Sequence, residues 1–295
     1  MKTAAPNSPE PAAPAPPFHP FTFSNVAELG QSGGTRLWLM IAAVALLLGT
    51  SVACLFVNGW EPVLTQAMGQ MTEEAVIEQG HLSWPDTQPV ELSANSFLRL
   101  IVDPAAAEDH GQVADLQFEF QTNRIIVSSL LGYSQLPYPY GLKVTLSPSV
   151  TRPWWGAWRV WFIAGIAAGL ALLALLVWMS LALAGAVVVR AVSYFSGRES
   201  DWGIQMRVAL TSLLAGAVLL AMGVVCYSLK LLPLLGLAFI FAAHLLLSWV
   251  YLFFSPFYLP SKPVAAPAVN PFMTEQADST EPDSKPRGTD NPFDT

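Results

Sequence analysis

Four long runs of apolar residues without a charged side chain constrain this sequence more than any other feature. They extend over 37–57, 160–189, 208–229 and 231–259. A helix of about 20 residues, rising about 1.5 Å per residue, crosses the hydrocarbon core of a bilayer. Only 12% of the 295 residues are charged, whereas an ordinary soluble domain has roughly a quarter. The sequence therefore predicts an integral membrane protein with four transmembrane helices.

The boundaries of these runs divide the chain into eight segments. They are a Pro-rich cytoplasmic tail over 1–36, transmembrane helix 1 over 37–57, an extracytoplasmic domain over 58–157, transmembrane helix 2 over 158–189, a cytoplasmic loop over 190–207, transmembrane helices 3 and 4 over 208–229 and 231–259, and a second cytoplasmic tail over 260–295. The predicted fold class is a membrane α-helical bundle with a small α+β extracytoplasmic domain between helices 1 and 2.

The basic residues in the short loops predict the orientation. The loop between helices 2 and 3 carries Arg190, Arg198 and Arg207, whereas the loop between helices 3 and 4 carries Lys230. Short loops rich in Arg and Lys stay in the cytoplasm, so the arginine loop is placed there. Both termini are then cytoplasmic, and a multi-pass protein of the cell (inner) membrane is expected.

Both tails are rich in proline and small residues and are predicted to be disordered. The C-terminal tail contains the triplet Asn-Pro-Phe twice. An Asn-Pro turn presents the Phe side chain to a pocket, and two copies raise avidity. The triplets resemble peptides that adaptor domains bind in membrane traffic, with low-complexity drift as the alternative explanation. The candidate partner-binding residues are Asn270, Pro271, Phe272, Asn291, Pro292 and Phe293.

The region 61–152 is the only one large enough for a folded aqueous domain. It has eleven acidic residues against four basic ones, which argues against nucleic acid as a partner. Apolar residues at helical spacing predict a helix over 62–79 that ends at Gly80. Later runs alternate with period two and predict a small antiparallel sheet. In 116–120 the alternation predicts buried Leu and Phe residues and solvated Gln117 and Glu119.

This region contains no motif that dictates a reaction. His81 and His110 lack the spacing of a zinc site, and the segment from Asp103 to Gly111 is predicted to be a solvated loop. No nucleophile elbow, phosphate loop or distinctive carboxylate pair is present. We therefore expect no catalytic residue, no cofactor and no bound metal.

Inside the predicted membrane helices, packing signals outnumber polar groups. Gly165 and Gly169 form a small-xxx-small pattern that favours close helix packing or a contact with a second copy of the chain. His244 is a candidate polar site that could titrate, bind a lipid headgroup or bond another helix, although a neutral packed histidine is the favoured interpretation. Cys54 and Cys226 have similar predicted depths, so a disulfide is conceivable, but two small packed side chains are favoured.

One stretch resembles a known family. The segment 202–212, with Trp202, Gln205 and Arg207, resembles the entry helix of bacterial membrane proteins related to the Yip family. The layout is also similar: one N-terminal span, a small extracytoplasmic domain and a helical bundle. The resemblance implies a membrane bundle and, from the eukaryotic branch, an association with vesicle traffic. It implies no reaction and no functional residue.

Two functions remain in view. The favoured one is a noncatalytic membrane scaffold, adaptor or sensor-like protein, whose outer domain binds a ligand or partner and whose tails recruit cytosolic proteins. The alternative is a small transporter or an accessory subunit of a transport complex, in which His244 and the long second span would matter. The expected partners are the lipid bilayer, a cytosolic adaptor and a second copy of the chain.

Overall fold

The computed structural model describes residues 19–106 and 110–262. The helices of this part are α1 (Phe23–Ser32), α2 (Thr35–Leu55), a π-helical turn (Phe56–Trp60), α3 (Glu61–Gln70), α4 (Pro148–Phe195), α5 (Trp202–Ser228), α6 (Leu234–Phe254) and a 3₁₀ turn (Ser255–Tyr258). Within the described residues, four helical segments are long and apolar enough to cross a membrane. They are α2 with its extension into α3, α4, α5, and α6 with its 3₁₀ turn.

Close backbone contacts hold the helix bundle together. α2 packs against α4 and α5, and α5 packs against α6. A Cβ atom at Gly49 in α2 would collide with the carbonyl oxygen of Ala167 in α4, and one at Gly216 in α5 would collide with the carbonyl of His244 in α6. Only glycine permits helices to approach this closely. Gly216 thus lies on a close-approach surface between α5 and α6.

The outward faces of α4 and α6 are apolar. Exposed side chains there include Trp161, Phe162, Leu176, Phe239 and Leu246. Contiguous apolar surface of this extent is unfavourable in water and favourable in lipid. The surface therefore agrees with a multi-pass membrane protein.

α4 is longer than the predicted span over 158–189 at both ends. From Trp161 to Arg190 the helix covers about 43 Å, which is about the thickness of a bilayer with its headgroups. Trp154, Trp158 and Trp161 are exposed on the preceding turns, where aromatic side chains are typical of the membrane interface. The first turns of α4 precede this stretch, and α4 contacts α3.

The predicted disorder of the tail over 1–36 is wrong for its last part, because α1 packs on the bundle. Phe23 lies against Tyr251, Phe254 and Tyr258 with ring centroids 5.0–6.4 Å apart. Arg207 Nε donates to the carbonyl of Gly30 at 2.7 Å. The proline-rich composition obscured this helix, whose apolar face is completed by residues more than 170 positions away. Residues 1–18 lie outside the described part.

The predicted helix over 62–79 is also shorter than expected. α3 ends at Gln70, and Val76–Glu78 is a strand. Gln79 and Gly80 both have positive φ values, 53° and 80°, and form the two-residue turn to the next strand, in which Glu78 pairs with His81. This conformation is typical of a tight hairpin. Gly80 therefore makes a β-turn and does not end a helix.

The segment between α3 and α4, here called the β domain, contains eight described strands. They are β1 (Val76–Glu78), β2 (His81–Ser83), β3 (Val90–Ala94), β4 (Leu98–Val102), β5 (Leu116–Phe120), β6 (Arg124–Ser129), β7 (Gly132–Pro137) and β8 (Lys143–Thr145). One sheet has the order β2-β1-β8 and the other β3-β4-β5-β6-β7. The prediction of a purely antiparallel sheet is wrong, because β4 and β5 run parallel.

The apolar face of the five-stranded sheet packs on α3. Val63 and Ala67 of α3 share a core with Leu92, Leu98 and Leu100 of the sheet. This contact supplies the helical support that a domain of fewer than about 100 residues requires. The opposite face of the sheet is polar and forms the site described next.

Candidate functional site

The polar face of the five-stranded sheet is built from residues that the strand register places in rows. Gln117 on β5 lies between Arg99 on β4 and Ser128 on β6, and Ser128 in turn pairs with Tyr133 on β7. Glu119, two residues further along β5, lies between Ile101 and Ile126. Side chains two residues apart share one face of a strand, so these rows lie side by side.

The burial on β5 is the reverse of the prediction. Gln117 and Glu119 are buried, whereas Leu116, Phe118 and Phe120 are half-buried. The reason is the parallel pairing of β4 with β5, which requires a crossover connection. That connection is the segment 103–115, and its described residues Ala106 and 110–112 lie over the polar face. Sequence alternation indicates which residues share a face, but it does not show which face is covered.

The prediction of a solvated loop over this connection is wrong for Asp103, which is buried, whereas Ala105, Ala106 and Gly111 are exposed as expected. Asp103 is fully buried, and its carboxylate lies 3.1 Å from Nε2 of His110. Arg99 Nη1 donates to the carbonyl of His110 at 3.2 Å, and Thr122 Oγ1 donates to the carbonyl of Pro104 at 2.7 Å. These bonds tie both described ends of the connection to the sheet.

A groove of about 480 Å³ lies between the connection and the polar face. It is lined by Ala106, His110, Gly111, Gln112, Gln117, Glu119, Gln121, Ile126, Ser128 and Tyr133. This volume is within the usual range for small-molecule sites, roughly 300–1,000 Å³. Among the described residues, no group of three or more His, Cys, Asp or Glu side chains could hold a metal ion.

Glu119 is the acidic side chain of the sheet that lines this groove. It is 8% exposed, and Gln121 Nε2 donates to its Oε1 at 2.6 Å. Arg124, the neighbouring cation, donates instead to Gln121 Oε1 at 2.7 Å and to Gln135 Oε1 at 2.9 Å. In the described part of the chain, no basic side chain forms an ion pair with Glu119.

The crossover connection ends at the helix bundle. Tyr227, in the last turn of α5, donates its hydroxyl to Asp115 Oδ2 at 2.6 Å. Its ring meets Phe97 edge-on at 5.0 Å, and Lys230 Nζ lies 5.6 Å from the centroid of the Phe97 ring. The residue that ends the roof of the groove is therefore bonded directly to a membrane-spanning helix.

The π-helical turn makes a second junction between the β domain and the bundle. Asn95 Nδ2 donates to the carbonyl of Gly59 at 2.6 Å, and Asn95 Oδ1 accepts from the amides of Phe97 and Leu98. Asn58 Nδ2 donates to Ser228 Oγ at 3.0 Å. Single π-helical turns within α-helices are frequent at functional sites.

An ion pair fixes the base of α3 to α4. Glu61, which is buried, pairs with the guanidinium of Arg159, whose Nη2 donates to Glu61 Oε2 at 3.2 Å. Glu61 and Arg159 are separated by nearly 100 residues of sequence. Their proximity could not be predicted without knowing that α3 packs on the extended start of α4.

The residues singled out in the sequence lie apart from this groove. The two Asn-Pro-Phe triplets, at 270–272 and 291–293, are outside the described residues. A Cβ atom at Gly165 or Gly169 would meet no heavy atom within 4 Å, so neither glycine packs within the described chain and a contact with a second copy stays a prediction. The ring of His244 contacts the carbonyl of Phe241 one turn earlier in α6. Cys54 and Cys226 are both free thiols.

The three residues singled out in 202–212 lie in the first two turns of α5, and Trp202 is exposed. Gln205 is buried and donates to Ser200, Arg207 bonds α1 as described above, and Trp202 begins α5 directly after its N-cap Asp201. Comparison of the chain with protein-family models, curated proteins and solved structures finds no match.

Proposed function

We propose that this protein is a noncatalytic membrane sensor with an adaptor role. In this proposal the β domain, on the extracytoplasmic side, binds a small polar ligand in the groove, the helix bundle responds to occupancy, and the tails recruit cytosolic proteins through the Asn-Pro-Phe triplets. The relationship to Yip-type proteins remains part of the proposal, through the 202–212 stretch and the layout alone.

The observation that carries the proposal is the position of Asp115. The described residues of the connection, Ala106 and 110–112, form the roof of the groove, and its last residue, Asp115, accepts the hydrogen bond from Tyr227 of α5. A ligand that displaces the roof changes the contact at Asp115. A ligand shifts a conformational equilibrium only if it binds the two conformations with different free energies. The groove and the membrane helix thus share one structural element.

A ligand-free experiment tests this coupling. Ser128→Trp places a bulky side chain in the groove as a permanent occupant of the full chain in nanodiscs. We expect hydrogen–deuterium exchange to rise in residues 111–115 and in the last turn of α5. In the double variant with Tyr227→Phe, we expect the rise in exchange caused by Ser128→Trp to persist in residues 111–115 and to be absent from α5.

Ser83→Trp is the matched control, because Ser83 is exposed on the other sheet. It is expected to leave exchange in α5 as in the wild type. If Ser128→Trp also leaves α5 unchanged while exchange in the connection rises, the groove is not coupled to the bundle and the sensor proposal is wrong.

A further inference from the structure

The buried carboxylate of Glu119 indicates what kind of ligand the groove binds, an inference that rests on the ligand-binding role proposed above. A buried carboxylate loses its hydration and is costly unless an opposite charge or several hydrogen bonds compensate it. Glu119 receives one hydrogen bond from Gln121 and, in the part of the chain that the structure describes, no ion pair. Its neighbours in the register, Ile101 and Ile126, are apolar and cannot compensate it.

Arg124 bonds Gln121 and not Glu119. Gln121 lies between the two, receiving from Arg124 at its Oε1 and donating to Glu119 from its Nε2. Arg124 is further occupied by Gln135. Among the described residues, the second carboxylate oxygen of Glu119 receives no hydrogen bond, so it is available to a group inside the groove.

The adjacent row offers hydroxyl-binding groups. Gln117, Ser128 and Tyr133 line the groove next to Glu119, at about 7 Å along the strand, the usual spacing of two residues. Amide and hydroxyl groups donate to and accept from ligand hydroxyls, and the exposed ring of Tyr133 offers an apolar surface to a ligand ring.

We propose that the groove binds a hydroxylated organic ammonium of amino-sugar size, with its ammonium on the Glu119 carboxylate and its hydroxyls on the Gln117–Ser128–Tyr133 row. A charge-assisted hydrogen bond in this water-poor position is stronger than a neutral one. The ammonium belongs either to a soluble amine or to the headgroup of an aminophospholipid, and the two sources share this chemistry.

Calorimetric titration of the full chain in phosphatidylcholine nanodiscs at pH 6.5 tests the proposal with glucosamine and glucose as probes. The two differ only in an ammonium and a hydroxyl group. Glucosamine is expected to bind about tenfold more tightly than glucose, as a charge-assisted bond requires. Glu119→Gln, which keeps the size of the side chain, is expected to remove that preference, and Glu119→Asp to retain it.

Glu78→Gln is the matched control, because Glu78 is an exposed acid that pairs with Lys143 on the other sheet. It should leave both affinities unchanged, and unchanged thermal unfolding of every variant verifies folding. Repeating the titration with phosphatidylethanolamine in the nanodisc identifies the source. Weakened glucosamine binding assigns the ammonium to the lipid headgroup, and unchanged binding assigns it to a soluble amine.

Equal binding of the two probes, or no binding of either, overturns the ammonium proposal. The sensor proposal is judged separately by the Ser128→Trp exchange experiment, which uses no ligand. Selective glucosamine binding without coupling to α5 would instead retain the ligand class and reject the sensor.

A second feature, the β6–β7 hairpin, carries an independent inference. Its tip is apolar and almost fully exposed, with Leu131 at 98%, Tyr133 at 75% and Leu130 at 58%. Ser129, at the end of β6, pairs with Leu116, which follows Asp115, the partner of Tyr227. The tip therefore lies at the end of the sheet that contacts α5.

We infer that Leu130 and Leu131 insert into the lipid interface beside the bundle. Exposed leucines are unfavourable in water and are stabilised by transfer to an apolar environment. Lys230, in the turn after α5, also contacts Phe97 of the β domain, and a basic residue at a helix end is typical of headgroup depth. The bilayer is thus the surface that covers this tip.

Fluorescence of a nitrobenzoxadiazole label tests the insertion. The full chain with Cys54→Ser and Cys226→Ser carries the label at Leu131→Cys, or at Thr87→Cys as the control, since Thr87 is exposed near the opposite end of the sheet. At position 131 we expect quenching by doxyl-labelled lipid and protection from aqueous iodide, and at position 87 the reverse. Iodide quenching at 131 equal to that at 87 would overturn the insertion.

Discussion

The hydroxyl of Tyr227 and the carboxylate of Asp115 are 2.6 Å apart although 112 residues separate them in the sequence. This bond joins the last turn of a membrane-spanning helix to the last residue of the crossover connection. Hydrogen bonds to charged groups stabilise by about 1.5–3 kcal/mol.

We expect Tyr227→Phe to destabilise the protein by about that amount, because it removes the donor and leaves Asp115 without this partner. Thermal unfolding in detergent measures the loss. Tyr140→Phe, at an exposed position, is the control. A double-mutant cycle with Asp115→Asn isolates the pair, and additive losses would show that the bond contributes nothing.

Asn95→Ala is expected to cost about 2–4 kcal/mol, since three hydrogen bonds of one side chain are lost and the Gly59 carbonyl loses a donor. Chemical unfolding followed by tryptophan fluorescence measures it, with exposed Gln88→Ala as the control. If both variants unfold alike, the junction at the π-helical turn does not stabilise the domain.

Gly49→Ala is expected to destabilise the bundle by about 1–3 kcal/mol, because its Cβ collides with the Ala167 backbone. The matched control is Gly165→Ala on α4, where the added Cβ meets open space and helix propensity improves. Thermal unfolding in the same detergent compares the two. Equal melting temperatures would contradict the close contact of α2 with α4.

Burial raises the pKa of Tyr138, whose hydroxyl donates to the Gln121 carbonyl at 2.9 Å. The folded state therefore keeps a proton that the unfolded state releases near pH 10, so stability is present at neutral pH and falls above pH 10. Tyr138→Phe is expected to flatten the slope of unfolding free energy between about pH 10 and 11. Tyr140→Phe is the exposed control, and an unchanged slope in Tyr138→Phe would contradict the expectation.

The tail proposal is tested by crosslinking in native membranes. Phe272→Ala with Phe293→Ala removes the two side chains that an adaptor pocket would hold. We expect cytosolic partners that crosslink to the wild type to be missing from the double variant. Pro267→Ala, in the same tail but outside both triplets, is the control, and an unchanged partner set would exclude the triplets as docking signals.

The four membrane helices could be predicted because a helix that crosses the hydrocarbon core requires about 20 consecutive residues that are mostly apolar and uncharged. The β5 strand could be predicted because Leu116, Phe118 and Phe120 alternate with polar residues, and such alternation is typical of a strand. The hairpin turn at Gln79–Gly80 was missed because the preceding apolar residues continue a helical spacing that tertiary structure overrides.

The groove could not be predicted, because it depends on long-range pairing. The alternation in β5 is compatible with either face being covered, and the parallel partner β4 decides the matter. One signal was available: the 13 residues from 103 to 115 between two strands exceed a hairpin loop and suit a crossover. Glu61 and Arg159, like Asp115 and Tyr227, meet only because of the tertiary fold.

The π-helical turn at Phe56–Trp60 sets the orientation of α3, and with it the β domain, about the axis of α2. Removing one residue there would restore an α-helical path and rotate α3 by about 100° about the helix axis. Val63 and Ala67 would then leave the sheet, while the span through the bilayer would keep its own contacts. The direction in which the groove faces around the bundle is thus encoded in the phase of a single helical turn.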